Sequence, residues 1–204
     1  MTLLDSILSA NRKFTHPGAF PPLPKSPQKQ LAIFTCMDTR LVDFLEPAMG
    51  IRRGEAKVIK NAGNTVIDSN GGVIRSLVAA IFLLGVEEVF VIGHRDCGMG
   101  TVDAEDLRAR MVERGIDPQA IDSLEPGLPQ WLGAFQCPEK NVEQVVSLIR
   151  NSPLIPKDVP IHGLLFCPDN GYLMELVRGY AQGEDSTGHN AGERIVSGAA
   201  DITG

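Results

Sequence analysis

The chain has 204 residues, 43% of them hydrophobic and 22% charged, enough for one domain with a sizeable core and a composition that excludes global disorder. Its formal net charge of −6 and a pI near 5.2 leave no basic face for a phosphate backbone, so nucleic acid is not an expected partner. Four cysteines make no disulfide framework; in a reducing compartment such residues bind metal or pack as small hydrophobes.

Residues 2–14 carry Leu3, Leu4, Ile7 and Leu8 on one helical stripe, then run into His16-Pro17-Gly18 and the prolines between Pro21 and Pro27. A short helix on such a linker has little of its own domain to lie on, so residues 1–30 read as an arm that packs on a partner subunit. The N-terminus lacks the basic n-region and cleavage pattern of a signal peptide, and the expected location is the cytoplasm. From Leu31 strands alternate with helices. Leu31 to Thr35 is a buried strand ending at Cys36, followed by Asp38 and Arg40, and a short helix is expected near 41–49. Ala56 to Lys60 is a second strand, running into Asn61-Ala62-Gly63-Asn64.

Ser69 or Asn70 is the expected cap of a long helix with the stripe Val73, Ile74, Leu77, Val78, Ile81 and Leu84, closed by Gly85. Its longest apolar run, Leu77 to Leu84, is far too short to cross a bilayer, and no membrane partner is expected. Val89 to Ile92 is a third strand, broken at Gly93 and followed by His94 and Cys97. Residues 101–115 read as a charged surface helix, Asp117-Pro118 as the start of another, and 126–138 as irregular. A helix over 140–150 and a strand over 161–167 precede the turn Asp169-Asn170-Gly171, after which Tyr172 to Val177 folds back antiparallel. Residues 182–204, rich in Gly, Ser, Asp and Ala, read as a mobile tail. The expected fold is α/β: a mostly parallel central sheet of four strands plus an antiparallel edge strand, flanked by helices, in a domain over residues 31–181.

In open α/β sheets, ligands gather beyond the carboxyl ends of strands, and Cys36, His94 and Cys97 all follow such ends. Two thiolates and one imidazole are a set used by catalytic zinc sites that keep water in the fourth position. A structural site would be closed by a fourth ligand, for which Cys137, Cys167, His162 and Asp38 are the candidates. Asp38 has the spacing to orient a nucleophile, and Arg40 to hold it by a bidentate pair; an Asp38 that moved onto the metal would displace the water instead. Cys137 and Cys167 read as buried small side chains.

Cys36-Met37-Asp38-Thr39-Arg40-Leu41, then Lys60-Asn61-Ala62-Gly63-Asn64, then Gly93-His94-Arg95-Asp96-Cys97-Gly98-Met99, in that order, resemble the β-class carbonic anhydrases. Residues 141–144 and 161–164 are similar to that family's last helix and fourth strand, so the resemblance covers residues 31–177. It implies one Zn2+ per chain on Cys36, His94 and Cys97, with Asp38 and Arg40 as the catalytic pair and the backbone N–H of Gly63 receiving a substrate oxygen. The implied reaction is reversible hydration of carbon dioxide to bicarbonate and a proton, by attack of zinc-bound hydroxide. The implied assembly is a homodimer whose N-terminal helices embrace the other subunit.

The chain departs from the family in Lys60, where an arginine is common. The Trp, Arg and Tyr constellation of the allosteric bicarbonate-binding branch is not evident, which favours the open, water-bound form. No proton shuttle is assigned; His16, His162 and His189 are unplaced. Two alternatives stand beside this reading: a related zinc hydrolase acting on carbonyl sulfide or carbon disulfide, since pocket shape decides the substrate, and a non-catalytic protein with a closed structural zinc.

Overall fold

The computed structural model describes residues 1–15 and 20–180; the expected tail over 182–204, His16 and His189 lie outside the described residues. Five strands form one sheet: β1 (Leu31–Cys36), β2 (Ala56–Asn61), β3 (Glu88–His94), β4 (Ile161–Phe166) and β5 (Leu173–Val177), in the order β2-β1-β3-β4-β5. The first four are parallel and β5 is antiparallel to β4, as the sequence predicts. All six residues of β1 are buried, because a strand next to the middle of a parallel sheet is covered on both faces, whereas edge strand β2 is only partly buried.

Successive residues of β1 feed opposite cores. Ala32 and Phe34 join Val89, Val91 and the inner faces of helices α3 (Gly72–Leu84) and α7 (Pro138–Asn151). Leu31 and Ile33 join Leu41, Leu45, Ile92 and Phe166 on the other face, and Cys36 and Cys97 belong to this second cluster.

Helix α1 (Leu3–Phe14) begins in a capping box in which Thr2 and Asp5 bond each other's backbone N–H, and it buries no residue in its own chain. The expected helix near 41–49 is two pieces, a 3₁₀ turn over Thr39–Leu41 and α2 (Leu45–Ala48). Helix α3 is capped by Gly71 and not by Ser69 or Asn70: a turn in which Gly71 N–H donates to the Asp68 carbonyl delays the helix past both. Gly85 closes it in the left-handed conformation, as expected. The charged helix is α4 (Ala104–Glu113), capped by Asp103, and Asp117 caps α5 (Pro118–Asp122). Within the segment expected to be irregular lies α6 (Leu128–Leu132), with a proline in its first turn and Gly133 ending it at φ 65°. No helix among the described residues is long and apolar enough to cross a membrane.

At the amino-terminal end of β3, Glu88 Oε1 accepts the Tyr180 hydroxyl at 2.7 Å and lies 2.9 Å from Nε2 of His162. His162 Nδ1 accepts the N–H of Gly179 at 3.0 Å, so the proton of the neutral ring sits on Nε2, facing the carboxylate. His162 first, and then Tyr180, hold the Glu88 carboxyl below its ordinary value of 4.5. A depressed carboxyl stabilises the fold above its unfolded pKa and loses that contribution as pH falls through the folded one. Tyr180→Phe is therefore expected to cost about 1 kcal/mol at neutral pH. Urea titrations should show the deficit shrinking as the medium becomes more acidic than the ordinary carboxyl value; a deficit independent of pH would contradict the assignment.

Candidate metal centre

Strands β1 and β3 run parallel in direct register, Leu31 opposite Glu88 through Thr35 opposite Ile92, so their carboxyl ends lie side by side. This adjacency brings Cys36, at the end of β1, together with His94, at the end of β3, and Cys97 just beyond. The three are buried, and their sulfur and nitrogen atoms all lie within 4.8 Å of one another, with the two sulfurs 3.9 Å apart. Among the described residues no other group of three His, Cys, Asp or Glu side chains converges in this way.

His94 Nδ1 lies 2.9 Å from the carbonyl oxygen of Arg95, to which the neutral ring donates. That fixes the tautomer and leaves Nε2 as a bare acceptor, fully buried and without a hydrogen-bond partner. An orphaned buried nitrogen is costly unless something occupies it. Beside two thiols, this nitrogen completes a donor set that zinc takes, and the residues fit the metal.

Of the four candidates for a further ligand, Cys137 is half-buried with its thiol 3.2 Å from Glu139, Cys167 is buried beyond the end of β4, and His162 sits at the opposite end of the sheet. Only Asp38 is at hand, with Oδ2 3.7 Å from His94 Nε2. Asp38 is already engaged: its Oδ1 accepts the backbone N–H of Arg40 at 2.8 Å and Arg40 Nε at 3.1 Å, and its Oδ2 accepts Arg40 Nη2 at 2.9 Å. The pairing is the bidentate one that the spacing predicts. Arg40, ahead of the opposing effect of burial, holds the Asp38 carboxyl at about 2.

Sequence reasoning missed the far side of this pair. Arg40 Nη1 donates to Asp96 Oδ2 at 2.8 Å and Nη2 to the Asp96 carbonyl at 2.6 Å.

Gly63 adopts φ 69°, and a Cβ there would come within 2.9 Å of Met99 Cβ and Cγ and of Phe135 Cε1. Its N–H, expected to meet a substrate oxygen, donates to Cys36 Sγ at 3.3 Å. Sequence alone does not reveal the bend that turns it there. Asn141, in the first turn of α7, donates to the Gly63 carbonyl at 3.0 Å and braces the loop; a buried Asn on an otherwise apolar helix face was the available signal.

The model of the carbonic anhydrase family matches residues 31–173. The chain belongs to the β-carbonic anhydrase family. The β-carbonic anhydrase isoform I of Trichomonas vaginalis is 43% identical, with a TM-score of 0.84 over 88% of this chain and all of that one. Beta-carbonic anhydrase 1 of Mycobacterium tuberculosis is 36% identical over 177 residues, covering 86% of this chain and 99% of the relative. The chain is also similar to a carbon disulfide hydrolase of Acidithiobacillus thiooxidans, 32% identical over 157 residues, which cover 71% of this chain and 76% of that protein.

The hydrogen bond from Cys97 lowers the pKa of Cys36, ahead of the opposing effect of burial, and the same hydrogen bond, with burial, raises that of Cys97. Burial works against a charge on His94, but Cys36 beside it, the Arg95 carbonyl and the Asp38 carboxylate outweigh it and raise its pKa. Thiol and imidazole ligands give up their protons when a cation binds, so metal uptake at this cluster would release protons.

Proposed function

We propose that the protein catalyses reversible hydration of carbon dioxide to bicarbonate and a proton, as a zinc enzyme with the metal on Cys36, His94 and Cys97. The observation that carries this reading is the bare, buried Nε2 of His94 set among two sulfurs and faced by a carboxylate that Arg40 grips. Zinc bound there supplies a Lewis acid that makes water a nucleophile near neutral pH. Asp38 is the catalytic acceptor: ionised, immobilised on both oxygens and 3.7 Å from the His94 nitrogen, it takes an O–H hydrogen bond and directs the attacking lone pair. Arg40 keeps it in that position and off the metal, which supports the open form over a closed structural site. Gly63 serves the centre through Cys36, by feeding its N–H to the sulfur and leaving room for Met99 and Phe135.

The catalytic unit in this reading is residues 31–181, and residues 1–30 are an arm that reaches a second copy of the chain. The apolar stripe of α1 supports it: Leu3, Leu4 and Ile7 are 78%, 64% and 56% exposed, a face that needs a partner. The four free cysteines among the described residues suit a cytoplasmic location.

A second reading, hydrolysis of carbon disulfide or carbonyl sulfide, is favoured by likeness to the carbon disulfide hydrolase. Stopped-flow carbon dioxide hydration and sulfide release from the two sulfur gases, measured on one sample of known zinc content, separate the two. Hydration that rises with pH at one zinc per chain is the expected result. Sulfide release without hydration would hand the assignment to the second reading, and a full zinc complement with neither activity would sink both.

A further inference from the structure

We propose that Asp96 is a positioning residue of the catalytic pair, anchoring the Arg40 guanidinium from the second loop of the site and so fixing where Asp38 presents its carboxylate. The inference rests on the anhydrase reading above. Asp38 and Arg40 belong to the loop after β1, whereas Asp96 lies 56 residues further on, in the loop after β3 and next to Cys97. Arg40 is therefore a strap between the loop that carries Cys36 and the one that carries Cys97. Its planar fork is used on both edges: Nε and Nη2 hold Asp38, while Nη1 and the same Nη2 hold the carboxylate and carbonyl of Asp96.

The backbone at position 96 is part of the device. Asp96 has φ 52°, the left-handed region that only Gly, Asn and Asp enter readily. In that conformation its carbonyl and its carboxylate both meet one guanidinium. Asn or Gly would fit the same backbone, but only Asp adds a charged acceptor. The Asp96 side chain is 85% exposed and that of Arg40 39%, so this ion pair contributes little to stability. Its effect falls on geometry. Without the outer anchor the half-exposed guanidinium is free to turn, and Asp38, only 17% exposed and 3.7 Å from His94 Nε2, loses the fixed partner that keeps it aligned. Loss of alignment appears in rate before it appears in melting.

The test uses the zinc-loaded, full-length protein. Asp96→Gly suits the backbone and keeps the carbonyl contact; Asp96→Asn keeps a neutral acceptor. Asp96→Gly is expected to lower kcat for carbon dioxide hydration about five- to tenfold, with KM and the melting temperature unchanged, and Asp96→Asn to restore part of the loss. In an Arg40→Ala background the same change should have no further effect. Independently of activity, solvent exchange of the Arg40 Nε–H, followed by NMR, should quicken at least about fivefold in Asp96→Gly, as expected when a fixed hydrogen-bonded group is released. An unchanged exchange rate and kcat, or an equal loss of kcat in the Arg40→Ala background, would overturn the proposal. Native protein that does not hydrate carbon dioxide would fail the anhydrase reading itself, and the exchange measurement would still report whether Asp96 anchors Arg40.

Discussion

Cys97→Ser is expected to empty the metal site and stop carbon dioxide hydration while leaving the fold standing. The change removes one sulfur of the donor set and leaves His94 and Cys36, two ligands where zinc needs at least three from the protein. Serine is close to cysteine in volume, so the cluster around Leu31, Ile33, Ile92 and Phe166 loses little packing; the cost is the new hydroxyl in a site 5% exposed, about 1–3 kcal/mol. Zinc content should fall to a small fraction of one per chain, and the rate by about 10³-fold or more, because in the proposed reaction a bound zinc would make the attacking water acidic. Melting supplies a second readout. Zinc should raise the melting temperature of the native chain, since only the folded state assembles the three donors, and leave that of the variant unmoved. A variant that kept its zinc and its rate would show that the metal is held elsewhere.

Gly93→Ala is expected to be nearly as damaging by another route. Gly93 lies in β3 immediately before His94, and a Cβ there would stand 2.6 Å from Val142 Cγ2, inside any tolerable contact. Val142 is fully buried on α7, so it has no free space to swing into. Either α7 backs off the sheet or β3 yields and carries His94 with it. Overpacking of this kind costs about 1–3 kcal/mol, and displacement of a supporting contact weakens metal affinity about 10–100-fold. Urea denaturation and zinc competition measure the two parts. Val142→Ala in the same chain should recover most of both, because the new methyl then occupies the space vacated. Failure of that rescue would show that the fault lies in the β3 backbone and not in the contact with α7.

Much of this could be read from the sequence because the informative patterns are local. Strands that end in Cys36 and His94 announce a site at their carboxyl ends once the sheet is parallel, and the pairing of β1 with β3 delivers the convergence. The Asp38-Arg40 pair was legible for the same reason: the partners are two residues apart. What escaped depends on long-range geometry or on scale. The grip of Arg40 on Asp96 spans 56 residues, and nothing in either local pattern announces it. The direction of the Gly63 N–H hangs on one φ angle of 69°. Helix α6 has five residues, too few for a 3.6-residue period to declare itself. The start of α3 slipped from Ser69 or Asn70 to Gly71 on the scale of a single turn: Asp68 accepts the N–H groups of Asn70 and Gly71 before the helix begins.

Strand β3 carries a polar cluster at each end, Glu88 with His162 and Tyr180 at one and His94 with the cysteines at the other. Seven extended residues hold the two roughly 20 Å apart, with the buried Val89, Val91 and Ile92 between them. Free-energy changes at that separation add without cross-terms when no partner is shared. Substitutions around Glu88 therefore offer a handle on durability alone, and variants improved there can be combined with variants altered at the metal end without re-optimising either set.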